Sequence, residues 1–132
     1  DLYLQTHATN PLLRSQTIAN AIERFLAQRD QYDSLFSVTP RHIRVWDAQA
    51  KPLNHDPHVL LRTQDLSPVY EENSCLYLFT RQALLHHQNR IGDRPLMFSI
   101  ASPESWDIDE PLDFEIAEFL FCKQTGKSEV AS

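Results

Sequence analysis

The first forty residues alternate between strand-like and helix-like patterns, and this alternation limits the possible folds more than any other feature. Leu2 to Thr6 has the pattern of a short buried strand, and Ser15 to Arg29 has that of an amphipathic helix. Ser34 to Thr39 resembles a second strand, which ends at Pro40. A strand, a helix and a strand in this order predict a right-handed βαβ unit and therefore a parallel sheet. Ligands of such sheets bind beyond the carboxyl ends of the strands, here the turns after Thr6 and Thr39.

Later segments continue the alternation. Strands are predicted at Ser74 to Phe79 and at Pro95 to Ile100, with a short helix at Arg81 to His87 between them. His42 to Trp46 is a further candidate strand. Lys123 to Ser132 has no apolar periodicity, which predicts a flexible tail. The pattern therefore predicts an α/β fold, and 132 residues suit one domain.

The composition excludes several classes of partner. The formal net charge of −6 argues against nucleic acid, because its phosphates would be repelled. No apolar run approaches membrane-spanning length and no segment resembles a signal peptide, so no membrane association is expected. Two cysteines, Cys75 and Cys122, lie within apolar runs and are predicted to be buried thiols. Buried thiols suit a reducing compartment, and we expect a cytoplasmic protein.

Glycine is scarce, with only Gly92 and Gly126 in the chain. Neither belongs to a glycine-rich loop, so these residues cannot form a phosphate cradle of the G-x-G-x-x-G or P-loop type. The chain also begins with the apolar run Leu2-Tyr3-Leu4 and without an initiator methionine. This beginning predicts that the chain enters in the middle of a sheet and is a piece of a longer protein.

The acidic stretch from Ser105 to Ala117 contains the strongest candidate for a metal site. In extended backbone, Asp107 and Asp109 would point their carboxylates to the same side while Ile108 faces the core. No lysine or arginine lies within ten residues on either side. Two such carboxylates suit a hard cation, Mg²⁺ or Mn²⁺.

The same stretch has a purely structural interpretation. Asp109 has the short acceptor side chain of a helix N-cap, and Pro111 suits the first turn. The neighbouring acidic side chains would favour the positive end of the helix dipole. Beyond them follows one predicted apolar stripe, formed by Leu112, Ile116, Phe119 and Leu120. The stretch alone leaves both interpretations open.

Two pairs of histidines were considered as metal ligands. His55 and His58 have the spacing H-x-x-H, but no cysteine lies nearby and Pro57 separates them, which argues against zinc. His86 and His87 would point roughly 100° apart on a helix, which predicts that they do not chelate together.

Four motifs occur in an order that points to a known family. Thr9-Asn10-Pro11-Leu12-Leu13-Arg14 resembles P-T-S-P-L-L-R, and Phe36-Ser37-Val38 resembles the S-V strand after it. Arg62-Thr63-Gln64-Asp65 with Tyr70-Glu71-Glu72-Asn73 resembles R-x-Q-D…Y-x-E-N-G. Asp107-Ile108-Asp109 with Asp113-Phe114-Glu115-Ile116-Ala117-Glu118 resembles D-I-D-x-x-x-D-F-x-x-A-E. Together they resemble the acylneuraminate cytidylyltransferases, the synthetases of CMP-activated sialic acids and related nine-carbon keto sugars.

The resemblance covers Leu2 to about Leu120 and corresponds to the later part of that family's catalytic domain. It implies an α/β fold with a mostly parallel, Rossmann-like nucleotidyltransferase sheet and flanking helices. The family's N-terminal strand and R-G-G-S-K-type nucleotide loop have no counterpart here. Residues 1–122 would form the C-terminal portion of a cytidylyltransferase domain, with a dimerisation region at 41–94, and 123–132 would be the tail. The implied assembly is a homodimer.

The resemblance also implies an activity. A cytidylyl group would pass from CTP to a sialic-acid-like sugar with release of pyrophosphate, and Mg²⁺ (or Mn²⁺) would be held by the catalytic residues Asp107 and Asp109. The implied substrate-binding residues are Gln5, Thr9, Asn10, Arg62, Gln64, Tyr70 and Asn73. His7 is the alternative to Gln5 at the family's glutamine position.

Structural roles remain open for some of these residues, because Arg62 suits a pair with Asp65 and Asn73 suits a turn. The family's N-G-A is replaced by Asn73-Ser74-Cys75. Without the phosphate loop, the alternative function is a catalytically incomplete fragment or a sugar-binding or dimerisation module. The 132 residues alone are accordingly expected not to make CMP-sugar.

Overall fold

A computed structural model describes residues 1–126. Its elements are β1 (Leu2–Thr6), α1 (Ser15–Ala27), β2 (Ser34–Arg41), a 3₁₀ helix (Thr63–Asp65), β3 (Val69–Thr80), α2 (Arg81–His87), β4 (Pro95–Ser99) and α3 (Pro111–Thr125). The prediction of an α/β fold with helices flanking a sheet is confirmed. No helix in the described part of the chain is long and apolar enough to cross a bilayer.

The sheet is mixed, with the strand order β1-β3-β2-β4. β3 is antiparallel to both β1 and β2, and only β2 and β4 form a parallel pair. The predicted parallel pairing within a βαβ unit, and with it the mostly parallel sheet, is therefore wrong. β1 and β2 do run in the same direction, but the long strand β3 lies between them and bonds to both. Local pattern predicts strands, whereas this insertion depends on a strand thirty residues further along.

Among the strands of the described residues, β1 lies at an edge of the sheet, and the prediction that the chain enters in the middle of a sheet stays a prediction. Tyr3 and Leu4 are exposed, and Tyr3 stacks on Phe79 of β3 with the ring centroids 5.9 Å apart. A continuous apolar run is typical of a strand covered on both faces. In the described residues, β3 supplies the neighbour on one side of β1 only.

The core forms where α1 packs on the sheet. Ala21 and Phe25 of the helix are completely buried, together with Leu35 of β2 and Leu78 of β3. Leu26, the next residue of α1, remains about half exposed.

The N-terminus of α1 is satisfied by a residue far away in the sequence. The Glu104 carboxylate accepts hydrogen bonds from the Arg14 N–H (2.9 Å) and from the Thr17 hydroxyl (2.7 Å). A carboxylate here meets the unpaired N–H groups and the positive end of the helix dipole. The segment after β4 is thereby tied to the helix that follows β1.

α3 begins one residue later than predicted. The N-cap is Glu110, in extended backbone, and Pro111 occupies the first helical position. The Asp113 carboxylate accepts hydrogen bonds from the N–H groups of Asp109 (3.1 Å) and Glu110 (2.9 Å). The prediction that Asp109 caps this helix is therefore wrong, because proline fixes the start of the helix beyond Glu110.

The apolar stripe predicted on α3 is only partly covered. Ala117 is the buried residue of the helix, while Leu112 and Phe119 are more than half exposed. α3 continues through Thr125 to Gly126, whose positive φ of 67° ends it. Residues 123–126 of the predicted tail thus belong to the helix and its cap, and the rest of that tail lies outside the described residues.

Residues 42–68, between β2 and β3, contain no long strand, so the strand predicted at His42 to Trp46 is wrong. Trp46 forms only an isolated bridge with Pro52. The turn is closed by the Asn54 side chain, which accepts from the Val45 N–H (2.8 Å) and donates to the Ile43 carbonyl (2.6 Å). The Asn54 amide thus satisfies backbone groups that a strand partner would otherwise satisfy.

The pairing of β2 with β3 is interrupted by a bulge. Phe36 pairs with Tyr77 and Val38 with Glu72, so Ser37 alone lies opposite residues 73–76. Within the bulge Ser74 has a positive φ of 57°. Glycine reaches this conformation without steric cost. The resembling motif has a glycine at this position, where this chain has Ser74.

Side chains replace the missing ladder bonds. The Ser37 hydroxyl accepts from the Leu76 N–H (2.9 Å), and the Asn73 side-chain carbonyl accepts from the Cys75 N–H (3.2 Å). The Ser37 hydroxyl also donates to that carbonyl (2.5 Å). The Asn73 amide NH₂ donates to the Thr39 hydroxyl (2.9 Å) and to the Ile100 carbonyl (3.4 Å). Asn73 therefore joins β2, β3 and the end of β4.

We expect Asn73→Ala to lower the free energy of unfolding by about 2–3 kcal/mol, since it leaves several buried polar groups without partners. Urea unfolding measures the effect. Asn20→Ala, at an exposed position on α1 where the side chain bonds only to Gln16, is the matched control and should change the stability by less than about 0.5 kcal/mol. Equal effects of the two substitutions would contradict the bridging role of Asn73.

A second prediction concerns Cys75, a fully buried free thiol. Burial raises its pKa above the ordinary value to about 11, and the negative charges of Asp107 and Glu104 add to the increase. The folded protein therefore holds this proton more tightly than the unfolded chain, whose thiol titrates near about 8.5. The resulting stabilisation is complete below the unfolded pKa and is lost as the pH rises through about 11.

The stabilisation is on the order of 3 kcal/mol, since each pKa unit corresponds to about 1.4 kcal/mol. We expect wild-type stability to fall between about pH 8 and about pH 10.5, and Cys75→Ala to show a smaller fall. Cys122→Ala, at the other free cysteine, should keep the wild-type slope. An unchanged slope in Cys75→Ala would show that this thiol does not govern alkaline unfolding.

Candidate functional site

Three segments meet at one edge of the sheet. β1, β2 and β4 run in the same direction, so their carboxyl ends lie at this edge. The loop 7–13 follows β1, the segment 100–109 follows β4, and the bulge of β3 lies beside them. This is the edge at which ligands of open α/β sheets bind. It contains most of the residues that the sequence singled out.

Asn10 joins the first two segments. Asn10 is 5% exposed. Its amide NH₂ donates to the Trp106 carbonyl (3.3 Å) and to the Asp107 carboxylate (3.4 Å). The backbone adds a further bond, from the Ile108 N–H to the Thr9 carbonyl (2.9 Å). Three of the predicted site residues, Thr9, Asn10 and Asp107, are thus brought together.

One polar atom of this junction has no partner. The side-chain carbonyl oxygen of Asn10 is buried and accepts no hydrogen bond from the described residues. A buried unpaired acceptor costs about 1–3 kcal/mol, so it is unusual in a structural role. It is an oxygen ligand or acceptor next to Asp107 that the fold itself does not use.

Asp107 and Asp109 lie in the irregular segment before α3, with Asp107 half-buried and Asp109 exposed. Neither forms an ion pair with a cation in residues 1–126. The charge of Asp107 acts on Cys75, where it raises the thiol pKa, which places the carboxylate close to the bulge. The Asp107 carboxylate and the amide oxygen of Asn10 are oxygen donors of the kind that Mg²⁺ prefers, and Asp109 follows two residues later in the chain.

The donor set is incomplete for a metal held by protein alone. Neither aspartate belongs to a group of three converging ligands in the described part of the chain. Mg²⁺ usually binds through one or two carboxylates and takes its other ligands from water and substrate phosphates. The arrangement is thus suited to an ion that arrives with a phosphorylated substrate.

Gln5 and His7 both lie beside the bulge. Gln5 is half-buried in β1, opposite Tyr77. The His7 Nδ1 forms a hydrogen bond with the Ser74 carbonyl, and its ring meets the ring of Tyr77 edge to face with the centroids 6.2 Å apart. His7 therefore already supports the bulge. Which of the two matches the family's glutamine stays a prediction.

The remaining predicted contacts are distributed around this edge. Arg62 and Gln64 are exposed at the 3₁₀ helix, where the Arg62 guanidinium pairs with the Asp65 carboxylate (2.9 Å). Tyr70 is half-exposed at the start of β3. The Asn73 side chain forms hydrogen bonds within the bulge, so the structural role considered for this residue is observed. No hydrogen bond in residues 1–126 connects the 3₁₀ helix to Asn10 or Asp107.

Sequence reasoning missed a polar group under the bulge. Tyr77 is completely buried, and its hydroxyl donates to the Glu72 carboxylate, while the Ser74 hydroxyl, 3.1 Å away, can donate to the tyrosine oxygen. The Arg90 guanidinium lies 3.8 Å from the centre of the ring and donates to the hydroxyl (3.2 Å). Burial raises the pKa of Tyr77, and the hydrogen bond to Glu72 adds to the increase. An apolar strand pattern conceals such a tyrosine, since its ring counts as core.

The comparisons with known proteins place the chain in a family. A sequence profile of the family described as Cytidylyltransferase matches residues 1–125. N-acylneuraminate cytidylyltransferase A of Danio rerio is 30% identical over 125 residues, which cover 89% of this chain and 28% of that relative. Post-translational flagellin modification protein B of Campylobacter coli is 28% identical over 127 residues, which cover 91% of this chain and 52% of that relative.

A third relative matches over a shorter range. CMP-N,N'-diacetyllegionaminic acid synthase of Campylobacter jejuni subsp. jejuni serotype O:2 is 35% identical over 57 residues, 43% of this chain and 24% of that relative. The chain spans about half or less of the length of these relatives. The family profile nevertheless covers almost the whole chain, including the loop 7–13, the bulge and the acidic segment. The chain belongs to the cytidylyltransferase family.

Proposed function

We propose that the protein containing this chain transfers a cytidylyl group from CTP to a sialic-acid-like nine-carbon keto sugar and releases pyrophosphate. The family membership and the names of two relatives support this proposal. The observation that carries it is the junction of Asn10 with Asp107. At this junction a carboxylate without a cationic partner in the described residues and an amide oxygen without a hydrogen bond lie at the carboxyl end of the sheet.

In this proposal the chain contributes charge and position. Asp107 and Asp109 would hold Mg²⁺ (or Mn²⁺). The bound ion would neutralise the negative charge that develops on the phosphates. The Asn10 amide holds the Asp107 carboxylate and fixes its direction before substrate arrives. Such preorganised groups are worth more than mobile ones, because they need no rearrangement during the reaction. The Glu104 contact with α1 keeps the same segment in place.

The sugar side of the proposed site uses Arg62 and Gln64 for the carboxylate of the sugar acid. The Arg62 guanidinium is strongly exposed in its pair with Asp65. An exposed pair of this kind contributes about 0–1 kcal/mol, so a substrate carboxylate can compete for the arginine at little cost. Gln5, Thr9 and Tyr70 are the proposed neutral partners at the same edge.

The alternative stays open for the 132 residues taken by themselves. They contain two glycines, one in the turn before β4 and one at the end of α3, and neither lies at the proposed site. Without a phosphate cradle the α-phosphorus of CTP is not positioned. Positioning of the reactants can lower an activation barrier by about 7–11 kcal/mol. Alone, this chain would then act as a sugar-binding or dimerisation module.

We expect Asp107→Asn, and separately Asp109→Asn, to lower kcat by a factor of about 10² or more in the protein at its full encoded length. Asparagine keeps the shape and removes the charge, so circular dichroism should be unchanged. The assay measures pyrophosphate release from CTP as the Mg²⁺ concentration is varied. Glu115→Gln, which removes one exposed charge on α3, is the matched control and should retain full activity.

Near wild-type turnover in Asp107→Asn would contradict the metal assignment. The same assay on residues 1–132 alone addresses the alternative. Turnover that is proportional to this chain and is lost in Asp109→Asn would exclude the incomplete-fragment interpretation.

We also propose that the protein is a cytoplasmic homodimer and that a second copy packs on residues 41–94. The segment 43–61 exposes apolar side chains without regular structure beneath them, and Leu60 is 95% exposed. The exposed apolar residues of this segment are Ile43, Trp46, Leu53, Val59, Leu60 and Leu61. Several exposed apolar side chains within one loop are what an interaction surface would need.

We expect Leu60→Asp to shift the protein from dimer to monomer in sedimentation equilibrium at micromolar concentration, because a buried unpaired charge opposes association. Leu112→Asp is the matched control, since it changes an equally apolar and 61% exposed side chain on α3, outside the segment. A wild-type monomer, or dissociation caused by Leu112→Asp and not by Leu60→Asp, would contradict the proposed interface.

A further inference from the structure

A second group of metal-ligating side chains lies at the opposite edge of the sheet. His86 and His87 end α2, and Asp93 lies in the turn before β4. One ligand atom from each residue lies within 4.8 Å of the other two. The His87 Nε2 is 3.5 Å from the Asp93 carboxylate, and the two imidazole rings meet edge to face with centroids 4.6 Å apart.

The expectation that the imidazoles of His86 and His87 point apart is therefore wrong. Adjacent helical residues do point about 100° apart. At the last turn of α2, however, no further turn lies above them, because Gln88 leaves the helix with a positive φ of 51°. The long imidazole side chains can then turn towards the same point. The unpaired carbonyl groups of a helix C-terminus also favour a cation there.

The position of Asp93 is fixed by the backbone around it. The Asp33 carboxylate accepts hydrogen bonds from the N–H groups of Asp93 (2.9 Å) and Arg94 (3.1 Å), and the Ser34 hydroxyl accepts from the Gly92 N–H (2.9 Å). A Cβ atom at Gly92 would lie 2.4 Å from the Asp33 carboxylate oxygen, so glycine is required for this close approach. The turn therefore presents Asp93 to the end of α2 in a defined place.

We propose that His86, His87 and Asp93 bind one divalent transition-metal ion of the zinc class. Two imidazole nitrogens and one carboxylate oxygen are a typical mixed donor set for Zn²⁺, with water in the fourth position. This set differs from the all-oxygen set at Asp107 and Asp109, which suits Mg²⁺. His86 and Asp93 are exposed, so an ion can reach the site from solvent.

The site lies at the amino ends of β1, β2 and β4, away from the edge at which the proposed reaction takes place. An ion bound there would connect the end of α2 to the turn before β4. Its expected effect is a higher melting temperature, because a ligand that binds only the folded chain stabilises it. This inference does not depend on the proposed cytidylyl transfer.

The test is Zn²⁺ titration calorimetry on the full-length protein after removal of metals, with millimolar Mg²⁺ present to occupy the all-oxygen site. We expect one Zn²⁺ per chain. His87→Gln and Asp93→Asn should each weaken the affinity about tenfold or more and abolish the Zn²⁺-dependent increase in melting temperature. Asp93→Asn keeps the backbone N–H that holds the turn, so the fold remains comparable.

His58→Gln is the matched control, because His58 belongs to the H-x-x-H pair in the loop 42–68 and is absent from the group. It should bind Zn²⁺ like the wild type. The proposal is overturned if wild-type protein binds no stoichiometric Zn²⁺, if both site variants retain wild-type affinity, or if His58→Gln removes the binding.

Discussion

The hydrogen bonds of the Asn73 side chain are the interaction on which the arrangement of the sheet depends. β3 must pair with β2 on both sides of the bulge, yet its residues 73–76 have only Ser37 opposite them. Backbone groups left without partners inside a protein are costly, so they must be satisfied by side chains. Asn73 and Ser37 do this, and the left-handed backbone of Ser74 permits the chain to rejoin the ladder at Tyr77. Bulges of this kind are common beside active sites.

The candidate site follows from this bulge. Asn73 reaches Thr39 and the Ile100 carbonyl, and so it fixes where the chain leaves β4. The segment after β4 then reaches α1 through Glu104 and the loop after β1 through Asp107. Each link is a polar contact between residues distant in the sequence. Together they explain how a carboxylate with no cationic partner can be held half-buried.

The two ends of the sheet differ in their chemistry. The carboxyl edge carries carboxylate and amide oxygens, with the thiol of Cys75 kept protonated by burial and by the negative charges of Asp107 and Glu104. The amino edge carries the imidazoles of His86 and His87 beside a turn held by Asp33. Hard cations such as Mg²⁺ prefer the oxygen donors of the carboxyl edge, and borderline cations such as Zn²⁺ prefer the imidazoles of the amino edge. A protein with a net charge of −6 thus has two places where positive charge would be favourable.

The sequence by itself determined the elements and the family. Apolar periodicity predicted α1, α2, β1, β2 and β4 to within two residues, but it missed the first five residues of β3 and predicted a strand at 42–46 that does not form. Four ordered motifs identified the cytidylyltransferase resemblance that the comparisons confirm. The motifs also assigned Asn10 to the proposed substrate site and Asp107 to the proposed metal site, without stating that the two residues touch. These features can be predicted from the sequence because they depend on local backbone preference or on short patterns of side chains that match family motifs.

Only the tertiary structure decided how the strands pair and what the polar side chains do. Period-two patterns do not state the direction or the neighbour of a strand, so the insertion of β3 between β1 and β2 was not visible. The N-cap of α3 moved from Asp109 to Glu110 because Pro111 sets the helix start. His86 and His87 converge because the helix ends beside them and Asp33 holds the turn of Asp93. In each case the deciding contact joins residues that the sequence separates, and local preference contains no information about it.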